Sequence, residues 1–358
     1  MSRPAEALIN LSYIRSNFAR AAELAGPARV MAVIKADAYG HGAVRVAQTL
    51  GTADCFGVAS LDEACMLRAA GISQPIVVLG GVFADDEWPA AAAQDLQVVI
   101  HSGWQLEGIL RANLTRPLVV WLKHDSGMHR LGLDDKAFSE ALGALESCDK
   151  VSAVVAMSHL ACADSPGDPV TAAQVDCFEG VLASWSGARS MANSAALMTR
   201  PQCRYEWVRP GLMLYGAQPL ISGESSGQDL MPAMTLRSKV VALREVAAGE
   251  GVGYGLRWQA KRPSLIATVA MGYGDGYPRH APDGTPVLIN GVRAPLVGRV
   301  SMDFVTVDVS ALQPVSIGDT AVFWGEGLPV EEVAAAADTL AYQLLTAVSQ
   351  RVRRIYQG

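Results

Sequence analysis

Long apolar runs, an excess of basic charge and a cysteine framework are all missing from this sequence of 358 residues. No uninterrupted apolar stretch approaches the ~20 residues that span a bilayer, so no membrane segment is expected. The chain carries 35 acidic and 29 basic residues, a formal net charge of -6, which leaves no basic face for nucleic acid. A small soluble ligand is the better expectation. The six cysteines (Cys55, Cys65, Cys148, Cys162, Cys177, Cys203) are irregularly spaced, with no C-x-x-C pair and none beyond Cys203, and read as reduced thiols. The six histidines do not form a ligand-spaced pair, so no metal is expected. Residues 1–23 have polar and charged residues interspersed throughout and lack the apolar core of a secretory signal, which makes the cytoplasm the expected compartment.

What is present is ample apolar material: half of the residues are hydrophobic, enough for more than one core and about two domains. Short β-rich runs recur at Val30–Ile34, Phe56–Ala59, Ile76–Leu79, Leu96–Ile100, Leu118–Leu122, Val151–Met157, Arg189–Ala192 and Tyr205–Val208. Alanine-rich helical stretches separate most of them, among them Ser60–Ala70, Asp85–Gln94, Ser102–Ala112 and Pro169–Ala183. This alternation predicts a parallel sheet, and about eight repeats in some two hundred residues favour a closed (β/α)8 barrel over an open doubly wound sheet. The barrel is expected over residues 1–225, with residues 1–10 as candidates to pair with the second domain. After a turn-rich linker at Ser222–Gly227 come runs punctuated by Gly, Pro and Asp at Leu236–Val246, Leu265–Met271, Thr285–Asn290, Ala294–Val300, Phe304–Val309 and Thr320–Trp324. They predict a mainly β domain over residues 226–358, closed by helices at Val330–Asp338 and Ala341–Gln350.

The stretch that organises the chain is Val33-Ile34-Lys35-Ala36-Asp37-Ala38-Tyr39-Gly40-His41-Gly42. It delivers one lysine from the end of the first barrel strand into a small-residue turn. A desolvated lysine loses its proton more readily and becomes a nucleophile toward aldehydes, whereas a strand-end lysine can also simply reach into water. Polar clusters recur at the same strand ends: Lys123 to Arg130 after the fifth, Ser158-His159 after the sixth, and Asn193-Ser194 after the seventh. In (β/α)8 barrels that end carries the chemistry. Asn193-Ser194 reads by itself as a plain helix cap, and in this place also as a phosphate-binding helix start.

These motifs, together with Lys123-His124-Asp125-Ser126-Gly127-Met128-His129-Arg130-Leu131-Gly132, Arg209-Pro210-Gly211, Gly253-Tyr254-Gly255 and Gly298-Arg299-Val300-Ser301-Met302-Asp303, occur in the order seen in alanine racemases. The chain resembles that family from end to end. The resemblance implies a pyridoxal 5′-phosphate enzyme, an N-terminal barrel, a C-terminal β domain that completes the partner subunit's active site, and a head-to-tail homodimer. It implies that Lys35 carries the cofactor and that Tyr254, from the partner, is the second acid/base a racemase needs on the opposite face. Taken without the other motifs, Tyr254 reads as an aromatic packed at a Gly-x-Gly turn.

The resemblance also assigns supporting roles. His159 and Arg209 stand behind the tyrosine and at the cofactor's ring nitrogen. A guanidinium only donates, so that nitrogen stays unprotonated and the ring becomes a weaker electron sink, confining reaction to proton exchange. Tyr39, Ser194, Gly211 and Tyr342, with Asn193, surround the phosphate. Arg130 and the Met302 amide lie near the cofactor's phenolic oxygen and the substrate carboxylate, and Tyr273 lies at the entrance. Lys123, seven residues before Arg130, is either carbamylated, as in many relatives, or a solvated cation. Ser301 departs from the cysteine common at that position. The Gly272-Tyr273-Gly274-Asp275-Gly276 stretch is set aside as a dinucleotide loop, because Asp275 would repel phosphate. Two rivals remain open: a pyridoxal-phosphate lyase on the same barrel, and a non-catalytic cofactor carrier.

Overall fold

The computed structural model describes residues 3–221, 229–312 and 314–358, so the expected linker at Ser222–Gly227 lies outside the described residues. Two units are present. One takes in residues 15–214 and 218–230, and the other takes in the residues up to Ile14, Tyr215–Ala217 and Met231–Gly358.

The first strand, β1 (Glu6–Asn10), belongs to the second unit. The barrel follows: β2 (Arg29–Val33), β3 (Cys55–Val58), β4 (Ile76–Val78), β5 (Leu96–Ile100), β6 (Leu118–Lys123), β7 (Val151–Met157), β8 (Ala188–Ser190) and β9 (Trp207–Val208). All neighbours pair in parallel, and β9 returns to β2 in the register Arg29↔Trp207, closing the barrel. Its interior is a packed layer of Met31, Cys55, Val77, Val99, Trp121, Val155, Met157 and Trp207. Two bulky indoles fit there because a neighbour gives way. Trp121 and Trp207 meet edge to face at 5.4 Å, and Gly57 leaves room for Met31, whose Sδ would lie 2.9 Å from a Cβ there.

The second unit is built on β10 (Met234–Val246), followed by β11 (Gly251–Val252), β12 (Trp258–Gln259), β13 (Ser264–Val269), β14 (Pro286–Ile289), β15 (Val292–Pro295), β16 (Val305–Asp308), β17 (Thr320–Trp324) and β18 (Arg353–Gln357). The sheet order is β15-β14-β17-β10-β1-β18, with β13 and β16 branching from β10. The long β10 pairs with β1 and β17 along its first half and with β13 from Val240 onward, with a register shift between Val240 and Ala242. The run expected at Ala294–Val300 is shifted: the strand is Val292–Pro295, because the Asn290-Gly291 turn starts it earlier and Gly298, at φ +76, ends the extended path. A strand not anticipated, β18, lies parallel to β1 with Leu8 opposite Ile355. No helix among the described residues is long and apolar enough to cross a membrane.

Candidate active site

The lysine turn is the most unusual backbone in the barrel unit. After β2, Ala36, Asp37, Ala38 and Tyr39 all sit at φ between +52° and +54°, a left-handed turn without one glycine among the four. For L residues such geometry costs about 1–2 kcal/mol each, and it persists only where the surroundings hold it. Three side chains do. His41 Nδ1 lies 3.0 Å from the Ala38 carbonyl and 2.9 Å from that of Tyr39; since carbonyls only accept, this nitrogen carries the proton and donates to both. Asp37 Oδ1 accepts the Ala43 N–H at 2.7 Å. Glu63, on the helix Leu61–Ala69 that follows β3, accepts the Ala36 N–H at 2.7 Å and the Ala59 N–H at 2.7 Å. Lys35 starts this turn and Tyr39 ends it. Residue 35 is solvent-exposed, yet its amine is held below the usual lysine range by desolvation first and then by Arg130 and Arg209, with Glu63 opposing.

Lys123 ends β6 and is nearly buried, and desolvation, Arg209 and Arg130 push its amine down to about 7. The loop after it folds back on itself: Leu133 donates to the Lys123 carbonyl and Asp125 to that of Leu133, both at 2.9 Å. Within the loop Asp125 Oδ1 accepts from the amides of Gly127, Met128 and His129 at 3.0–3.1 Å. Gly132 permits the return, since a Cβ there would lie 2.6 Å from the Asp125 nitrogen. Arg130 projects from this loop and is exposed.

After β7 and β9, His159 and Arg209 meet. The buried guanidinium donates to Ser190 Oγ and to the Ser158 carbonyl, both at 2.6 Å, and lies 3.4 Å from His159 Nδ1. Burial lowers it to about 10, still a cation at neutral pH. Desolvation and then Arg209, Lys123, Arg130 and Lys35 keep His159 well below the usual histidine range, so the ring is neutral. Gln174 was not expected from sequence: buried, it donates to the His159 carbonyl at 3.1 Å and accepts the Ala161 N–H at 2.8 Å. Beside them Asn193 caps the helix Ser194–Thr199 through the Ala196 N–H at 3.0 Å. Ser194 Oγ accepts the Gly211 N–H at 2.8 Å. Gly211 leaves space for Tyr39, whose Oη would stand 2.6 Å from a Cβ at that position. Tyr39, Ser194 and Gly211 therefore converge, next to a set of cations in a chain whose net charge is negative.

In the other unit, Tyr254, Tyr273, Met302 and Tyr342 are exposed, at 71%, 38%, 52% and 41%. The segment bearing Met302 runs between the two tyrosine turns. Tyr273 and Gly274 donate to the carbonyls of Ser301 and Met302 at 3.0 and 2.9 Å, and Gly253 faces the Arg299 amide. Asp275, set aside as a phosphate loop, is fully buried and holds this arrangement: Arg3 and Arg351 both donate to it, at 2.6–2.9 Å, and Arg351 also pairs with Asp303. On the outer side of the barrel, donor atoms of His124, Asp135 and Cys177 lie within 4.8 Å of one another, with His124 Nε2 hydrogen-bonded to Asp135 at 2.8 Å. Linear spacing gave no sign of that cluster.

Comparison with known proteins agrees with this geometry. The family model "Alanine racemase, N-terminal domain" matches residues 9–219 and "Alanine racemase, C-terminal domain" matches residues 233–356. A protein of Pseudomonas putida named "Alanine racemase, catabolic" is 47% identical over 357 residues, 99% of each chain. The crystal structure of a biosynthetic alanine racemase from Pseudomonas aeruginosa superposes with a TM-score of 0.97 at 48% identity, covering 99% of this chain and 100% of that one. An alanine racemase from Bartonella henselae, solved with covalently bound pyridoxal phosphate, gives 0.90 at 29% identity, covering 99% of each chain. With both halves matched and the likeness running over the whole length, this chain belongs to the alanine racemase family.

Proposed function

We propose that the chain interconverts L- and D-alanine by two-base proton transfer on pyridoxal 5′-phosphate. The observation that carries this reading is Lys35: an amine held toward its neutral, nucleophilic form at the strand end where a barrel keeps its chemistry, beside Arg209 and Arg130. The residues fit the cofactor. Lys35 would hold it covalently, Tyr39, Ser194 and Gly211, capped by Asn193 and joined by Tyr342, would surround its phosphate, and Arg209 would face its ring nitrogen. Bound there, the cofactor supplies an electron sink that acidifies the amino acid's α C–H.

The chain's own groups then move the proton. Lys35 serves the D-isomer and Tyr254 the L-isomer. Arg130 and the Met302 amide bind the carboxylate, Tyr273 narrows the entrance, and Lys123, carbamylated, orients Arg130. Neutral His159, backed by Arg209 and Gln174, accepts and passes hydrogen bonds without becoming a competing acid. Tyr254 is exposed on its own chain, which suits a residue that acts in the site of a second copy, and a homodimer belongs to the same reading. Six free cysteines suit a reducing cytoplasm. The D-alanine would feed peptidoglycan synthesis or alanine breakdown.

Purified protein with L-alanine in deuterated water tests the reading. Deuterium at the α carbon with loss of optical rotation is expected. Carbon dioxide with ethylamine would instead support a decarboxylase, and unchanged alanine an aldolase or a carrier.

A further inference from the structure

We propose that Glu63 is a positioning residue for Lys35: its carboxylate, bridging the amides of Ala36 and Ala59, holds the left-handed turn from which the lysine projects. This rests on the reading of Lys35 as the cofactor-bearing residue. The two bonds, each 2.7 Å, tie the residue immediately after Lys35 to the end of the neighbouring barrel strand. One carboxylate with two oxygens suits this task, because it accepts twice and donates nothing.

Ordinary helix capping does not account for the arrangement. Glu63 stands three residues after Ser60, the N-cap of the helix Leu61–Ala69, but Ser60 makes no side-chain cap bond. Instead of completing a reciprocal box, Glu63 spends one oxygen on another loop altogether. The recipient, Ala36, is at φ +52 and is exposed, so packing does little to hold its strained backbone in place. Glu63 is also the group that opposes Arg130 and Arg209 at the Lys35 amine. The turn is fixed from its other end by His41 and Asp37; on the lysine side the Ala38 N–H donates to the Ile34 carbonyl at 2.8 Å, and Glu63 is the side chain that holds the Ala36 amide.

The test is a cycle of E63Q and A36G in the full chain, each stripped of cofactor and titrated with pyridoxal phosphate. An amide in place of the carboxylate cannot accept both N–H groups, so E63Q is expected to weaken cofactor retention by at least about tenfold, the scale of a lost charge-assisted hydrogen bond. Glycine adopts positive φ without a Cβ penalty, so A36G removes the need for the anchor. Adding A36G to E63Q is expected to restore most of the retention, and to raise the melting midpoint of the cofactor-free chain more than it does in the wild type. Wild-type retention in E63Q, or loss that A36G does not repair, would overturn the proposal. Should E63Q alone fail to fold, a folded double variant supports the proposal and an unfolded one contradicts it. Failure of borohydride to fix pyridoxal phosphate on wild-type Lys35 would contradict the parent reading, while the melting cycle would still report on Glu63.

Discussion

The guanidinium of Arg209 lies 3.4 Å from Nδ1 of His159, and with burial it holds that imidazole neutral. A linkage follows. Below about pH 6.5 an unfolded histidine takes up a proton that the folded one refuses, so the unfolded state binds more protons and stability falls as pH drops through that window. His159→Gln, neutral at every pH, should flatten this slope between pH 5 and 6.5 in urea unfolding. Parallel curves for the two proteins would contradict a neutral His159.

Lys123, pushed down to about 7, is half neutral near pH 7 and mostly neutral at pH 8. The free amine is the form that adds carbon dioxide, with loss of one proton. In labelled bicarbonate a carbamate carbonyl signal is expected by NMR, growing from pH 6.5 to 8 and absent in Lys123→Ala. A spectrum identical for both proteins would remove the modification.

Gly211→Ala places a Cβ 2.6 Å from Tyr39 Oη, in the cluster we assign to phosphate. Retention of pyridoxal phosphate should fall by roughly tenfold or more, equivalent to about 1.4 kcal/mol. The melting midpoint of the cofactor-free chain should change little, because the tyrosine can rotate away. Unchanged retention would place the phosphate elsewhere.

Asp275→Asn leaves Arg3 and Arg351 facing a neutral amide at a fully buried position. Because both guanidiniums are partly exposed and Arg351 keeps Asp303, the loss should cost about 1–3 kcal/mol, read here as a lower urea midpoint. The two guanidiniums hold the Asp275 carboxyl below the usual aspartate range despite its burial. Its contribution should therefore be present above about pH 4 and lost as pH falls further, so the two proteins should converge in acid.

The barrel was legible because its strands are short apolar runs interleaved with alanine-rich helices, and the barrel residues we propose for the site stood out because they cluster at the ends of such runs. Lys123 ends such a strand, and Lys35, His159, Asn193 and Arg209 stand just past one. The left-handed turn was not legible, because Ala36 and Ala38 are helix formers and nothing local marks them for positive φ. Glu63 has the spacing of a routine capping partner, and only the fold shows its second oxygen on Ala36. The Arg3–Asp275–Arg351 clamp joins residues up to 272 positions apart, and β18 reads as Arg-Arg-Ile-Tyr-Gln, too charged to suggest a strand. Each of these depends on a partner distant in sequence, which no periodicity records.

Activity of mixed chains tests the account most directly, since it asks whether an amine and a phenol on separate copies serve one site. Lys35→Ala and Tyr254→Phe should each be nearly inactive in racemising alanine. Unfolded and refolded together in equal amounts, they should regain about one quarter of wild-type activity, because half of the random dimers are mixed and each mixed dimer holds one intact site. A mixture as inactive as its parents, with both folded and dimeric, would contradict the shared site, and full activity in either parent would contradict the two-base transfer itself.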